Sequence, residues 1–363
     1  MNRRFILPII SIFILLICAC GSKDNASRPQ WGYLLAFTDD SCYCISYNDQ
    51  PLFAQPFTNT SLYYNDIASV QSRDGKWGFI NRKGEFRLPA VYEKATVFSE
   101  GMAWVIKKGN MPSAINEKGD VKISLRETIC VRVFHEGHAA YCANKKNIRL
   151  WGFLDKNGNE TIKAQYRDVK DFHMGLAAVQ ENAGGLWGYI NLKGELVIPH
   201  QYTEANSFND EGTALVKSDE QHLVINREGT VLQRLPYKKA TPDGMWNCVK
   251  NEQGWGWCND KGEVAVTPQF EEVRPFGKAD LAPVKIRGKW GYVDRKGKVT
   301  IKRQFTEAYP FIEGRAAVKV GIVWGFIDEK GVFMVNPQYE YIPQDYLYQA
   351  LGIGTALSTL HIE

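Results

Sequence analysis

The chain has 363 residues, of which 44% are hydrophobic and 12% aromatic, and its formal net charge is +4. This composition supplies enough apolar side chains for a packed core and excludes a largely disordered protein. A charge so close to neutral lacks the strong basic footprint of nucleic-acid binding, so no nucleic acid is expected as a partner.

The N-terminus has the layout of an export signal. A basic start at residues 1–4 precedes an apolar run at 5–17, which is too short to span a bilayer as a permanent helix. The stretch 17–20 resembles the lipobox of bacterial lipoproteins, which implies removal of residues 1–19 and acylation of Cys20. Gly21 in place of Asp favours the outer over the inner membrane in that family. The alternative is an ordinary cleaved signal with an incidental cysteine.

If Cys20 is acylated, two or more chains would anchor the protein stably in the bacterial cell envelope. Residues 20–30 are rich in small, polar and charged side chains and are predicted to be a tether. Residues 31–75 begin with an outlying Trp31-Gly32 and are predicted to form a degenerate first β unit.

The dominant feature of the chain is a Trp-Gly pair that returns about every 35 residues, the mark of one small unit repeated in tandem. The tryptophans of these pairs are Trp77, Trp151, Trp187, Trp255, Trp290 and Trp324.

An Asx-x-x-Gly pattern follows each pair and predicts a hairpin turn, because an Asx side chain can bond to the backbone ahead of it and glycine tolerates a positive φ. Its glycines are Gly84, Gly119, Gly158, Gly194, Gly229, Gly262, Gly297 and Gly331. The same pattern reveals two further units that have Pro112 and His222 in the tryptophan position.

Eight units are therefore predicted over residues 76–341. Three short strands and their turns use up about 35 residues, so each unit is predicted to be a three-stranded antiparallel meander in an all-β protein. An open β-superhelix is favoured over a closed β-propeller, because a propeller blade normally takes four strands. Residues 342–363 break the pattern and are expected to cap the array.

The repeats resemble the WG-repeat family of bacterial proteins, whose units carry a Gly-Lys-Trp-Gly-Tyr-Ile-Asp-x-x-Gly pattern. The segment starting at Gly288-Lys289-Trp290-Gly291-Tyr292 follows it closely, whereas the units at Pro112 and His222 depart from it. The resemblance implies tandem β structure and leaves the activity open.

Six cysteines besides Cys20 would remain after processing. Cys130 and Cys142 are placed symmetrically about Glu136, and Cys248 and Cys258 about Gln253, which predicts two hairpin disulfides in an oxidising compartment. The alternative is two pairs of buried thiols. Cys42 and Cys44 would share one strand face and could not easily bond each other.

The sequence offers no convincing catalytic or metal site. His135-Glu136-Gly137-His138 lacks the helical spacing of a zinc motif and lies in a predicted turn, and each Asx turn offers too few oxygens for calcium. No cofactor is expected.

Two roles remain for the tryptophans. They could form ladders with Tyr and Lys that hold a glycan or peptide, or they could fill the seams between units, which the adjacent glycine favours. We therefore expect a non-enzymatic, envelope-anchored lipoprotein that mediates protein or envelope interactions through a broad β surface. The alternative is a carbohydrate-binding or uptake accessory lipoprotein.

Overall fold

The computed structural model describes residues 34–38, 41–45, 57–61, 63–64, 66–126, 128–145, 147–181, 185–312, 314–340, 342 and 359–361. The acylation prediction at Cys20 lies outside them. Cys42 and Cys44 lie in a described strand, but their side chains are not described. Within this part of the chain there is no helix, and therefore no helix long and apolar enough to cross a bilayer.

The described strands form an N-terminal hairpin and eight antiparallel sheets, seven of four strands and one, sheet 3, of five, numbered here as sheets 1 to 8 in chain order. The hairpin consists of β1 (Leu34–Thr38) and β2 (Ser41–Ile45). Sheets 1 to 4 contain β3 (Asn59–Thr60), β4 (Ala68–Gln71), β5 (Trp77–Ile80) and β6 (Phe86–Tyr92); β7 (Lys94–Ala95), β8 (Met102–Ile106), β9 (Ser113–Asn116) and β10 (Val121–Ser124); β11 (Thr128–His135), β12 (His138–Lys145), β13 (Ile148–Asp155) and β14 (Glu160–Tyr166); β15 (Asp168–Val169), β16 (Leu176–Gln180), β17 (Trp187–Asn191) and β18 (Leu196–Tyr202).

Sheets 5 to 8 repeat the same arrangement. They contain β19 (Glu204–Ala205), β20 (Thr213–Ser218), β21 (Gln221–Asn226) and β22 (Val231–Leu235); β23 (Lys239–Asp243), β24 (Trp246–Lys250), β25 (Trp255–Cys258) and β26 (Val264–Phe270); β27 (Glu272–Val273), β28 (Leu281–Ile286), β29 (Lys289–Asp294) and β30 (Val299–Phe305); β31 (Glu307–Ala308), β32 (Arg315–Val320), β33 (Val323–Asp328) and β34 (Phe333–Tyr339).

The tandem antiparallel all-β fold is confirmed, but each sheet has at least four strands where three were expected. The additional strand is the first of its sheet and in most sheets spans only two residues, such as Lys94–Ala95. So short a strand has no alternating apolar pattern that a sequence could reveal. The sequence repeat is also offset from the sheets, because the stretch from Trp77 to the next unit supplies β5 and β6 of sheet 1 and then β7 and β8 of sheet 2.

The Asx-x-x-Gly turns join the third strand of each sheet to the fourth. At Asp294 the side-chain oxygen Oδ1 accepts hydrogen bonds from the backbone N–H groups of Lys296 and Lys298, both at 2.9 Å. The N–H of Gly297 donates to the Asp294 carbonyl at 2.9 Å. All eight glycines of these turns have φ between +76° and +84°, a region that side chains with a Cβ rarely adopt.

The glycine of each Trp-Gly pair is required for a different reason. The strand register changes there: Trp290 is opposite Phe305, but Tyr292 is opposite Ile301, so the fourth strand carries two extra residues in a bulge. A Cβ on Gly291 would lie 2.6 Å from the carbonyl oxygen of Ile301. At all six Trp-Gly pairs the bulged backbone occupies the space that a side chain would need.

Aromatic rings meet across most of the joints between successive sheets. In five joints the ring two residues after the tryptophan contacts a phenylalanine between the first two strands of the next sheet, with centroids 4.6 to 5.0 Å apart. The pairs are Phe79 with Phe98, Phe153 with Phe172, Tyr189 with Phe208, Trp257 with Phe276 and Tyr292 with Phe311. The hydrophobic clusters accordingly combine residues of two neighbouring sheets.

Cys130 and Cys142 form a disulfide, as predicted. They face each other in the hairpin β11–β12, with their Cα atoms 5.2 Å apart, and both are fully buried.

The prediction of a second disulfide between Cys248 and Cys258 is wrong, because both are buried free thiols. The turn of this hairpin spans Asn251 to Gly254, so its centre lies half a residue before Gln253, the centre assumed from the sequence. Cys248 is therefore opposite Trp257, and Cys258 is opposite Asn247. Because successive residues of a strand point to opposite faces, the two thiols belong to different hydrophobic clusters.

The described end of the C-terminal segment, β35 (Thr359–His361), adds to sheet 3 as a fifth strand. It pairs antiparallel with β11, and Leu360 is buried in the cluster shared by sheets 2 and 3. Of the segment expected to cap the array, Thr359–His361 thus pair with residues about 230 positions earlier in the chain.

Gly291→Ala tests the close approach of the backbone at the bulge. The added methyl must displace the Ile301 carbonyl and the Arg303 N–H, so we expect a loss of about 3 kcal/mol in the free energy of unfolding. The matched control is Gly288→Ala, where φ is +72° but no atom lies within 4 Å of the added Cβ, and a loss of about 1 kcal/mol is expected. Urea denaturation followed by fluorescence measures both, and equal losses would contradict the steric explanation.

Candidate binding surface

A row of exposed apolar side chains recurs once per sheet at the start of the fourth strand. Each lies two residues after the glycine of the Asx turn, and side-chain exposure within the row ranges from 37% to 57%. We call these residues the outer-strand row: Phe86, Val121, Leu196, Val231, Val264, Val299 and Phe333. In sheet 3 the corresponding position is Glu160.

The row lies outside the core because of how the fourth strand is built. In β18, Leu196 and Val197 are exposed, whereas Ile198 and Tyr202 are buried against the next sheet. The fourth strand is also the last of its sheet in every sheet described, so its outer backbone edge is not paired with another described strand. Exposed apolar residues on unpaired strand edges are features that protein partners use.

Sequence reasoning missed this row, although a signal was present. The pattern Gly-x-apolar follows seven of the eight Asx turns, as in Gly262-Glu263-Val264. An apolar residue right after a turn is ordinarily assigned to the core, and only the burial of each strand in the structure shows that it faces outward.

The tryptophans of the Trp-Gly pairs are mostly buried. Trp77, Trp151, Trp187, Trp290 and Trp324 are at most 9% exposed, and Trp255 is partly buried. A lysine or arginine of the protein lies over the ring in five of the six cases, at 4.4 to 5.6 Å from the ring centre: Arg132 over Trp151, Lys170 over Trp187, Lys250 over Trp255, Arg274 over Trp290 and Lys319 over Trp324.

The two arginines among these cations connect neighbouring sheets. The Arg274 guanidinium of sheet 7 lies 4.4 Å from the ring of Trp290 and 4.0 Å from that of Tyr309, and it donates to the Ala308 carbonyl of sheet 8. Arg132 of sheet 3 donates in the same way to the Val169 carbonyl of sheet 4. Since the ring faces are already covered, they cannot stack on a sugar without displacing the cations.

Asp243 is a carboxylate that joins sheet 6 to sheet 7. It is 3% exposed, and its two oxygens accept hydrogen bonds from the backbone N–H groups of Phe276 and Gly277, both at 2.8 Å, and from Trp257 Nε1 at 2.9 Å. Burial raises the pKa of Asp243, whereas these three donors and the charge of Arg295 oppose that rise. All three of these donors belong to the backbone or to a buried tryptophan of the two sheets, so the Asp243 carboxylate links sheet 6 to sheet 7 by hydrogen bonds. We call this set of contacts the latch.

The two free thiols are poor nucleophiles. Burial raises the pKa of Cys248 well above its ordinary value, and it raises the pKa of Cys258 to about 11. Both therefore remain protonated at neutral pH, and the thiolate is the reactive form.

The four residues from His135 to His138 form the turn of the hairpin β11–β12. His135 and His138 face each other across it, and Glu136 and Gly137 have positive φ. The Glu136 carboxylate accepts a hydrogen bond from the Gly175 N–H of the next sheet at 2.8 Å. Among the described residues no three His, Cys, Asp or Glu side chains are grouped as a metal ion would require.

Comparison with known families finds repeated matches to the family described as WG containing repeat. The matches cover residues 77–110, 151–183, 187–220, 255–290, 290–321 and 324–346, more than half of the chain. The stretches between them contain Pro112 and His222, the two positions where the tryptophan is replaced. No curated protein matches the sequence.

Among solved structures, a eukaryotic initiation factor is similar in fold, with 11% identity, a TM-score of 0.60 and coverage of 86% of this chain and 97% of that one. Apo AztD from Citrobacter koseri matches with 10% identity and a TM-score of 0.41, covering 91% of this chain and 97% of that one. BamB from Moraxella catarrhalis matches with 11% identity and a TM-score of 0.36, covering 79% and 92%. The first similarity concerns the fold alone, and the other two are too weak to carry an argument.

Asp243→Ala tests the latch between sheets 6 and 7. The substitution leaves three N–H donors without their acceptor, so we expect the free energy of unfolding to fall by about 3 kcal/mol. Asp280→Ala is the control, because that side chain is 95% exposed and its removal is expected to change stability by less than about 0.5 kcal/mol. Urea midpoints of the two variants measure the difference, and a small effect at position 243 would show that the latch is dispensable.

Proposed function

This chain belongs to the family of the WG-containing repeat, and from that premise we propose that it is a non-enzymatic binding protein that holds a protein partner along the outer-strand row. The observation that carries the proposal is the recurrence of an exposed apolar residue at one position in seven of the eight sheets. A protein needs no such residue for its own core, and one repeated on an unpaired strand edge suits an extended partner that contacts several sheets.

The charge of the chain supports a protein partner over nucleic acid. Lysine and arginine exceed aspartate and glutamate by only four residues in the whole sequence. Many of the cations are also engaged within the molecule, like Lys285 with Glu272 at 2.6 Å. A polyphosphate chain would need a continuous excess of positive charge.

A threefold substitution tests the row. We expect Leu196→Ser, Val264→Ser and Val299→Ser together to lower capture of the partner by at least about tenfold, because each removes exposed apolar area from the contact. Stability should change little, since all three side chains are at least 43% exposed.

The measurement is photocrosslinking in the native cell envelope, with the crosslinker at position 264 or 299. The matched control places the same probe at Ile322, which is 83% exposed but lies in the hairpin between β32 and β33, off the row. One protein crosslinked from the row and not from position 322 supports the proposal. The same products from all three positions would refute it.

We also propose that Cys20 is the lipid attachment site and that the protein works at the bacterial envelope, on the outer membrane. The support is the lipobox-like stretch 17–20 and Gly21 after it. Two or more acyl chains suffice for stable anchoring.

Metabolic labelling with an alkyne-tagged fatty acid tests the anchor. The wild-type chain should incorporate the label and sediment with outer membranes, whereas Cys20→Ala should lose both properties. Cys42→Ala is the control and should keep the label. Persistent labelling of Cys20→Ala would disprove this attachment site without affecting the proposal for the outer-strand row.

A further inference from the structure

Sheet 5 interrupts a ring pair that the Trp-Gly sheets share. In six sheets the tryptophan is opposite a tyrosine or phenylalanine of the fourth strand, as Trp187 is opposite Tyr202 and Trp290 opposite Phe305. In sheet 5 the corresponding pair is His222 and Leu235. Two large rings are thus replaced by smaller side chains at one place.

The connection that follows is also longer there. Two residues separate Tyr202 from Ala205, and two separate Phe305 from Ala308, whereas four separate Leu235 from Ala240. The longer connection carries Tyr237, whose ring is partly buried at the joint between sheets 5 and 6.

The cluster at this joint is poor in aromatic rings. It consists of Leu215, Val224, Leu235, Ala240, Val249 and Cys258, with Tyr237 packed against it. The ring pair is also absent in sheet 2, where Pro112 is opposite Leu125. In that sheet, however, Trp104 stacks on Phe134 of the next sheet, with the ring centres 5.6 Å apart, so aromatic rings still meet at the joint. The joint between sheets 5 and 6 contains no such replacement among its described residues.

An open cavity of about 500 Å³ lies on the sheet 5 side of this joint. Its walls are the hairpin 218–221 and the segment 234–238, so it lies against the altered pair and the longer connection. Its volume is within the range of small-ligand sites, about 300 to 1,000 Å³.

The lining of the cavity is polar and balanced in charge. Asp219 and Glu220 supply two carboxylates, Arg234 and Lys238 supply two cations, and Arg234 donates to the Gln221 side chain at 3.0 Å. The lining therefore offers both hydrogen-bond donors and acceptors beside Tyr237. A fixed anion or cation would meet charges of both signs here.

The geometry points to a binding site for one neutral sugar residue, which would stack on Tyr237 and exchange hydrogen bonds with the polar lining. Hydroxyl groups both donate and accept, as this lining requires, and a pyranose ring can lie against an aromatic face. His222 lies opposite Leu235, one of the wall residues, and is 7% exposed, and burial lowers its pKa, so that the neutral imidazole is favoured. This site goes beyond the protein contact proposed for the outer-strand row.

The test measures binding of two neutral trisaccharides, maltotriose and triacetylchitotriose, to the full chain by saturation-transfer NMR. We expect saturable binding of at least one, with a dissociation constant of about 1 mM. Tyr237→Ala should weaken it by about tenfold by removing the stacking face, and Tyr237→Phe should keep it within about twofold.

Thr306→Ala, in the corresponding connection of sheet 7, is the control and should bind like the wild type. The proposal is overturned if neither trisaccharide binds, if Tyr237→Ala binds as tightly as the wild type, or if N-acetyltryptophanamide competes with the sugar at equal concentration. Capture of the protein partner by the outer-strand row should be the same in all these variants, so failure of either proposal is distinguishable from failure of the other.

Discussion

The fold depends on burial that no single sheet can achieve. A four-stranded sheet of short strands has an apolar face that only another sheet can cover. The contact that covers it is an aromatic pair across the joint, such as Tyr189 with Phe208 or Tyr292 with Phe311, inside a cluster drawn from both sheets. Because each sequence repeat supplies the end of one sheet and the start of the next, the backbone itself crosses every joint that the rings close.

This dependence explains the roles of the two residues that make the repeat recognisable. The glycine makes room for a bulged neighbouring strand, and the bulge sets where the fourth strand leaves its sheet. The tryptophan is buried beside it and carries a lysine or arginine on its face, and Arg274 and Arg132 continue from there to backbone carbonyls of the next sheet. Both residues stabilise the packing of one sheet on the next. A binding surface is therefore to be sought at other positions of the sheet.

Two kinds of feature stand apart from these structural requirements. The outer-strand row is periodic and largely exposed, as Leu196 and Val264 show, and two of its members, Phe86 and Phe333, also contact buried rings, those of Phe57 and Phe305. The joint between sheets 5 and 6 is a feature of one unit alone. There His222 and Leu235 replace the ring pair of the Trp-Gly sheets, and an open cavity lies beside them. A repeat protein can keep the same surface feature in most of its units or change a single unit. The outer-strand row is an example of the first, and the joint between sheets 5 and 6 is an example of the second.

Local pattern was sufficient to predict much of this protein. The spacing of Trp-Gly and Asx-x-x-Gly predicted eight units, their all-β nature and the turn between the third and fourth strands of each sheet, because these depend on backbone conformations of neighbouring residues. Symmetry about Glu136 was enough to predict the disulfide between Cys130 and Cys142. The same argument failed at Cys248 and Cys258, where half a residue in the turn placed the thiols on opposite faces. The short first strands, the exposed side of the fourth strand and the cavity beside Tyr237 were decided only by the tertiary structure, since each depends on which sheet lies next to which, and contacts between distant residues leave no periodic trace in a single sequence.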